Sequence, residues 1–252
     1  MAHVDLAKTV RKLPNVTTGH GCLWTDMINL VERKCQAYEL AAELDQPDFT
    51  MLIRQFLQGQ LHPDLDRESL ISANSLPDIL PNFRERISVY NSASAMFYAP
   101  SDLSGVGGMR REHIRAVPSW RKGPPRHDCI FVCTDEAAEG MQALEVARVR
   151  LFFSFTYSGV FYPCALVHWF SRVGDNPDED TGLWMVEPDR NADGSPHAAV
   201  IHLDAVLRAA HLIGVYGSDM IPKELSFMDS LDAFLSFYVN KFIDTHAFHI
   251  AY

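Results

Sequence analysis

Between residues 147 and 157 apolar and polar positions alternate. Ala147, Val149, Leu151, Phe153, Phe155 and Tyr157 take one side, and Arg148, Arg150, Ser154 and Thr156 take most of the other. A strand repeats its faces every second residue, so this pattern predicts a long half-buried β-strand with the six apolar side chains on one face. Ser158-Gly159 follows as a tight turn, and "VFYPCALVHWF" returns as a strand buried on both sides, where Pro163 predicts a bulge or a missing ladder bond. "CIFVC", "GLWMV" and "AAVIHL" read as further short strands between turn-forming or acidic segments. Strands of this length and spacing predict an α+β fold. Its β part is expected to be a small antiparallel barrel or curled sheet rather than a doubly wound parallel one.

Helical periods flank this region. "TDMINLVERKCQAYELAAEL" sets Met27, Leu30, Val31, Cys35, Tyr38 and Ala42 at steps of three and four behind Thr25 or Asp26 as N-cap, predicting one amphipathic helix stopped by Pro47. "FTMLIRQFLQGQL" predicts a second helix ending near Gly59, and the proline-rich stretch 61–83 reads as a linker. "DAVLRAAHLIGVYG" reads as a helical turn closing the sheet at Gly217. After Pro222, Ser226 and Asp229 form a capping-box pattern ahead of a stripe of Leu231, Phe234, Leu235, Tyr238 and Phe242, which predicts a C-terminal helix. The expected organisation is a helical arm and linker over 1–80, a β-rich domain over 81–220, and a helix over 221–252 that docks on it.

The chain has 252 residues, 47% hydrophobic, enough for a sizeable core. No window approaches eighteen consecutive apolar residues and the first residues lack a secretory core, so an intracellular protein without a membrane partner is expected. Five scattered cysteines without CxxC spacing fit a reducing compartment. The net charge of -10 argues against global attraction to nucleic acid, so any such binding needs a local patch.

One segment supplies such a patch. Arg110, Arg111, Arg115, Arg121, Lys122 and Arg126 lie within seventeen residues whose only acid is Glu112, and Trp120 stands among them as a platform for a base. The competing reading is a solvated face neutralised by the acidic run "DNPDED" at 175–180. The glycine-rich "FYAPSDLSGVGGMRREHIRA" just upstream could cradle a phosphate if it opened a helix, but Met109 follows Gly108 where a P-loop needs Lys, so a tight turn before a helix is the preferred reading. His246 and His249 are spaced i, i+3, yet zinc needs three or four converging ligands, so neither a metal nor another cofactor is expected. Cys129 and Cys133 read as small buried hydrophobes. The neighbouring His and Cys of "GHGCLW" and "RHDC" point to opposite strand faces and make no nucleophile-base pair.

The ordered series "ERISVYNSASAMFYAPSDLSGVGGMRREHIRA", "RVRLFFSFTYSGVFYPCALVHWF", "DEDTGLWMVEPD", "IHLDAVLRAAHLIGVYG" and "SLDAFLSFYVNKFIDTHAFHIAY" resembles the C-terminal region of proteins encoded by Plavaka-type DNA transposons of basidiomycete fungi, over about residues 85–252. The resemblance implies origin in a mobile element. It also implies a tail detached from the upstream nuclease-like domain that carries the metal-binding carboxylates, hence no enzymatic activity of its own. The expected role is a non-catalytic accessory module, acting in the nucleus and contacting DNA through the six basic residues. The strand order is also similar to small chromatin-reading barrels of the bromo-adjacent-homology type. The alternative expectation is therefore a protein-interaction module in which exposed aromatics around Trp169 and Trp184 receive a peptide or chromatin protein.

Overall fold

The computed structural model describes residues 22–27, 33–63, 80–99, 107–216, 220, 223–226 and 229–252. The "GHGCLW" histidine, most of the 61–83 linker and Gly105 of the glycine-rich loop lie outside these residues, as do Gly217 and Pro222. The centre of the fold is one long hairpin, β8 (Leu144–Tyr157) and β9 (Val160–Arg172). Ser158 and Gly159 join them, both at positive φ (49° and 80°). Two successive left-handed residues make a type I′ turn, whose twist matches that of the strands it connects.

The pairing runs from Tyr157↔Val160 to Ala147↔Trp169 with one irregularity, between Val149 and Leu151, which leaves Arg150 as an extra residue without a cross-strand partner. This β-bulge shifts the parity of β8. Ala147 and Val149 enter an inner cluster with Phe152, Val167 and Trp169, whereas Leu151, Phe153 and Phe155 enter a different cluster on the opposite face. The six apolar residues expected on one face are therefore divided between two. Pro163 causes no bulge and pairs regularly with Ser154. The strand on its other side, β11 (Ala198–His202), ends at the His202↔Cys164 pair, so at Pro163 that edge has no ladder bond to lose.

Around this hairpin the main antiparallel sheet takes the order β12-β7-β8-β9-β10-β14-β13, with β11 on β9, β3 on β8 and β2 on β3. These strands are β2 (Arg33–Cys35), β3 (Ile87–Tyr90), β7 (Cys129–Cys133), β10 (Met185–Pro188), β12 (Val206–Ala210), β13 (Leu212–Gly214) and β14 (Phe237–Val239). A second sheet, β1 (Cys22–Met27), β4 (Ser92–Tyr98), β5 (Met109–Val117) and β6 (Arg126–His127), packs across the concave side and encloses the inner cluster with Ala93, Ala95, Ile114 and Ala116. The architecture is α+β, a curled half-barrel of antiparallel sheet flanked by N-terminal and C-terminal helices.

Two apolar clusters cover the convex side. Helix α2 (Phe49–Leu61) buries Phe49, Ile53, Phe56 and Leu57, spaced as one helical stripe, against Phe153 and Phe155. Phe49 meets Phe153 edge-on at 5.3 Å. Helix α1 (Ala37–Glu43) starts with a reciprocal capping box between Gln36 and Glu39. At the other end Phe237, Val239 and Ile250 pack with Phe131, Leu144 and Phe170.

Three helical expectations give way. The segment 25–44 is strand to Met27, strand again over Arg33–Cys35, and helix only from Ala37, with Tyr38 68% exposed rather than on a buried stripe. Pairing of 22–27 with β4 and of 33–35 with β3 overrides the local helical spacing. The described part of the segment 203–217, residues 203–216, holds a single 3-10 turn, Leu203–Ala205, followed by β12 and β13. The C-terminal stripe breaks into α3 (Ser230–Ala233), β14 and α4 (Thr245–Ile250), because Phe237 and Val239 alternate into the sheet beside β10 and β13. Leu235 and Phe242, expected on the buried stripe, are 90% and 62% exposed.

Candidate nucleic-acid interface

The basic segment folds as a β-hairpin. Along β5, Ile114 and Ala116 are buried, while Arg111 and His113 are exposed and Arg115 is half-buried. Strand alternation gives Arg111, His113 and Arg115 one face and Arg110 and Glu112 the other. The turn into β6 is closed by Gly123 N–H donating to Trp120 O (2.8 Å), by Trp120 N–H donating to Pro124 O (3.0 Å) and by Ser119 Oγ donating to Gly123 O (2.8 Å). Its two central residues, Arg121 and Lys122, sit at φ 51° and 65°. This is again a type I′ turn, where Asn-Gly is preferred and a long side chain costs about 1 kcal/mol or more per residue. Two exposed cations thus occupy the positions where the backbone favours them least.

Trp120 is half-buried and gathers three guanidinium groups, Arg115 at 4.5 Å, Arg126 at 5.3 Å and Arg121 at 5.4 Å from its ring centroid. The negative face of the indole offsets repulsion among them. Asp128 completes the arrangement: it accepts from Arg126 Nε (2.7 Å) and from the Arg115 backbone N–H (2.9 Å). Burial lowers the Arg115 guanidinium, and Arg126 lowers it further. Arginine nevertheless stays charged at neutral pH. Burial, then Arg111 and Arg115, lower the imidazole of His113, so it adds no charge there. Arg111 reaches Ser94 Oγ at 3.2 Å and remains exposed.

Arg110 leaves the group. Its charge acts on Glu112 and Asp244, on the inward side of β5. There Arg208, only 3% exposed, donates from both Nη atoms to Asp244 (2.8 and 2.7 Å) and from Nη2 to Glu112 (3.3 Å). The Arg208 guanidinium lies 4.4 Å from the Phe97 ring centroid, and Nη1 is 3.2 Å from His246 Nδ1. Burial raises the Asp244 carboxyl, but hydrogen bonds from Arg208 and Ala247 N–H outweigh it and hold the group at about 2. Burial pushes the Glu112 carboxyl up, with Arg208 offsetting part of the effect. The segment's one acid is thus spent on a buried clamp and does not neutralise the outer face.

A cleft of about 390 Å³ separates the hairpin from β12 and the C-terminal segment, lined in part by Glu112, Arg126, Asp128, Arg208 and His211. Its two guanidinium groups face two carboxylates, so it offers no net attraction for an anion. The outer face differs: among the described residues Asp128 is the one carboxylate paired with the group Arg111, Arg115, Arg121, Lys122 and Arg126. Asp128, two residues past the basic run, has a role that spacing alone did not reveal; the alternation Arg126-His127-Asp128 was its signal.

Trp169 and Trp184 are 1% and 4% exposed, core side chains rather than an interaction surface, because β9 and the turn before β10 aim them at the inner and outer clusters. The acidic run does not neutralise the hairpin through any ion pair among the described residues. Asp178 instead accepts from Thr181 N–H (2.9 Å) and Oγ1 (2.7 Å) in its own turn. Gly107 and Gly108, at φ 62° and 75°, lead into strand β5 and not into a helix, so no helix N-terminus points at the glycine-rich loop. His246 is buried against Phe97, whereas His249 is exposed, and no group of three or more metal-ligating side chains occurs among the described residues. Cys35, Cys129, Cys133 and Cys164 are buried free thiols. No helix among the described residues is long and apolar enough to cross a membrane. No protein-family model matches the chain, and no curated protein or solved structure matches it.

Proposed function

We propose that this chain is a non-catalytic accessory module, derived from a DNA transposon protein of the Plavaka type, that contacts the DNA backbone in the nucleus through the β5–β6 hairpin. The observation that carries the reading is the gathering of Arg115, Arg121 and Arg126 around Trp120 at one hairpin end, with Arg111 and Lys122 exposed beside them. Because guanidinium groups already occupy the indole, the reading assigns Trp120 to holding the cations in place, and recognition to charge and shape rather than base stacking. Arg110, engaged on the inner side, drops out of the interface. The peptide-reading alternative loses its support with the burial of Trp169 and Trp184.

The turn supplies the test. Arg121→Gly/Lys122→Gly removes two cations and simultaneously relieves two strained φ angles, so folding should be unimpaired or improved while binding weakens. Fluorescence anisotropy with a duplex oligonucleotide over a salt series should show the log–log slope of affinity flattening by about two in the variant, roughly one for each phosphate that a cation no longer neutralises. An identical slope for variant and wild type would dismiss the hairpin as the interface.

A further inference from the structure

We propose that the convex face of the main sheet holds a second site, separate from the cationic outer face of the hairpin, for a compact oxoanion of the phosphate class, built from Arg148, Arg150 and His168 together with His127 of β6. The site lies in a polar belt between the two outer apolar clusters. Along β8, Leu144 and Val146 belong to one cluster and Leu151, Phe153 and Phe155 to the other; along β9, Phe170 and Leu166 divide in the same way. Arg148 and His168 are direct cross-strand partners at the level between them, and Arg150 is the bulged residue beside them. A bulge re-aims a side chain, and this one is fastened from the neighbouring edge: Val149 N–H donates to Asp128 O (3.0 Å), and Val149 O meets His127 Nδ1 (3.1 Å).

Hydrogen-bonding capacity in the belt exceeds what the protein uses. Both Nη atoms of Arg148 serve Asp232 of α3 (2.5 and 3.1 Å), but its Nε is buried and has no partner. Among the described residues the half-buried Arg150 guanidinium has no hydrogen-bond or ion-pair partner at all, and the His168 ring has no hydrogen-bond partner. Leaving the buried Arg148 Nε without an acceptor costs free energy, and an oxoanion that accepts from it removes that cost while replacing the water on the half-buried Arg150 and His168. The charges agree, two guanidinium groups facing the single carboxylate of Asp232. With Arg148 only 15% exposed and apolar side chains on both flanks, the belt suits a small tetrahedral anion, whereas a duplex backbone needs protruding cations like those of the hairpin.

The histidines supply a reporter. Burial, followed by the charges of Arg150 and Arg148, lowers His127 and His168 each to about 4, with Asp232 opposing. The adjacent Cys129 thiol, pushed up to about 12 chiefly by burial, stays neutral, and Asp128 is turned to Arg126 and the Arg115 N–H. A bound anion offsets the two arginines, so both imidazoles become easier to protonate and binding strengthens as the pH falls toward their titration.

The experiment is an NMR titration of the histidine ring protons with inorganic phosphate, ionic strength held constant by replacing sodium chloride. Saturable movement of the His127 and His168 signals is expected, with their titration midpoints rising by about one unit, and Arg150→Gln should weaken the response about tenfold or more. The Arg121→Gly/Lys122→Gly hairpin variant should respond as wild type does, so failure of the DNA reading leaves this proposal standing. A parallel arm with 5′-AMP separates the sources: a response to both ligands identifies a phosphomonoester site, and a response to phosphate alone identifies a site for the free ion. Equal movement in chloride, an undiminished response in Arg150→Gln, or loss of the response in the hairpin variant would overturn the proposal. If Arg150→Gln does not fold, the wild-type comparison of phosphate with chloride decides alone.

Discussion

Replacing Asp244 by Asn takes the negative charge out of the Arg208 clamp while leaving an oxygen able to cap α4, whose Ala247 N–H donates to Asp244 Oδ1 at 2.8 Å. The native carboxyl is held at about 2 against an ordinary 3.8. At about 1.4 kcal/mol per pKa unit, its charged form contributes about 2 kcal/mol to folding. The folded carboxyl is the stronger acid, so this contribution is complete above the unfolded pKa and drains away as the pH falls through the folded one. In urea unfolding, wild type should exceed Asp244→Asn by about 2 kcal/mol near pH 7, keep that margin to about pH 5, and lose most of it by about pH 2. Glu112 provides a control of opposite sign. Its folded pKa is raised, so its favourable contribution exists at low pH and disappears as the pH rises past its ordinary value of 4.5. Relative to wild type, Glu112→Gln should therefore gain stability as the pH rises above about 4.5, where the Asp244→Asn margin has already levelled off. A margin for Asp244→Asn that stayed constant from neutral pH to about pH 2 would refute the reasoning, because it would assign the loss to packing or cap geometry rather than to charge.

Two further outcomes test the framework of the sheet. Gly159→Ala meets no atom within 4 Å but must adopt φ +80°, so it should cost about 1 kcal/mol through the backbone alone, seen as a lower denaturant midpoint with unchanged slope. Cys129 and Cys164 are buried with their thiols pushed up, Cys129 to about 12, so neither should react with a thiol reagent near neutral pH until the protein unfolds; rapid labelling of the native state at either position would contradict the packing.

Charge segregation is what lets the hairpin serve as a contact surface in an acidic chain. The segregation depends on backbone parity. Had the residues after Gly108 formed a helix, Glu112 would lie one turn from Arg115 on the same side and neutralise it. In strand β5 Glu112 instead turns inward to Arg208, and the outward positions remain cationic.

What the chain settles locally was legible before any fold was known. Helix α2 follows from its own apolar stripe, β7 and β11 from their β-branched and aromatic content, and the Ser158-Gly159 turn from the residues that tolerate positive φ. The clustering of six cations was equally visible, since charge needs no partner to be counted. Tertiary structure decided the rest. The period-two pattern of β8 was plain, but only pairing with β9 and the hold of Asp128 on Val149 place a bulge at Arg150 and send the two halves of the strand to opposite faces. Residues 25–44 and 226–242 carry helical spacing, yet strands more than fifty residues away in sequence capture parts of both, because backbone ladders and shared burial outweigh a propensity worth tenths of a kcal/mol per residue. Which arginines stand together, and which is turned inward to a carboxylate, follows from those distant pairings and so could not be read from spacing alone.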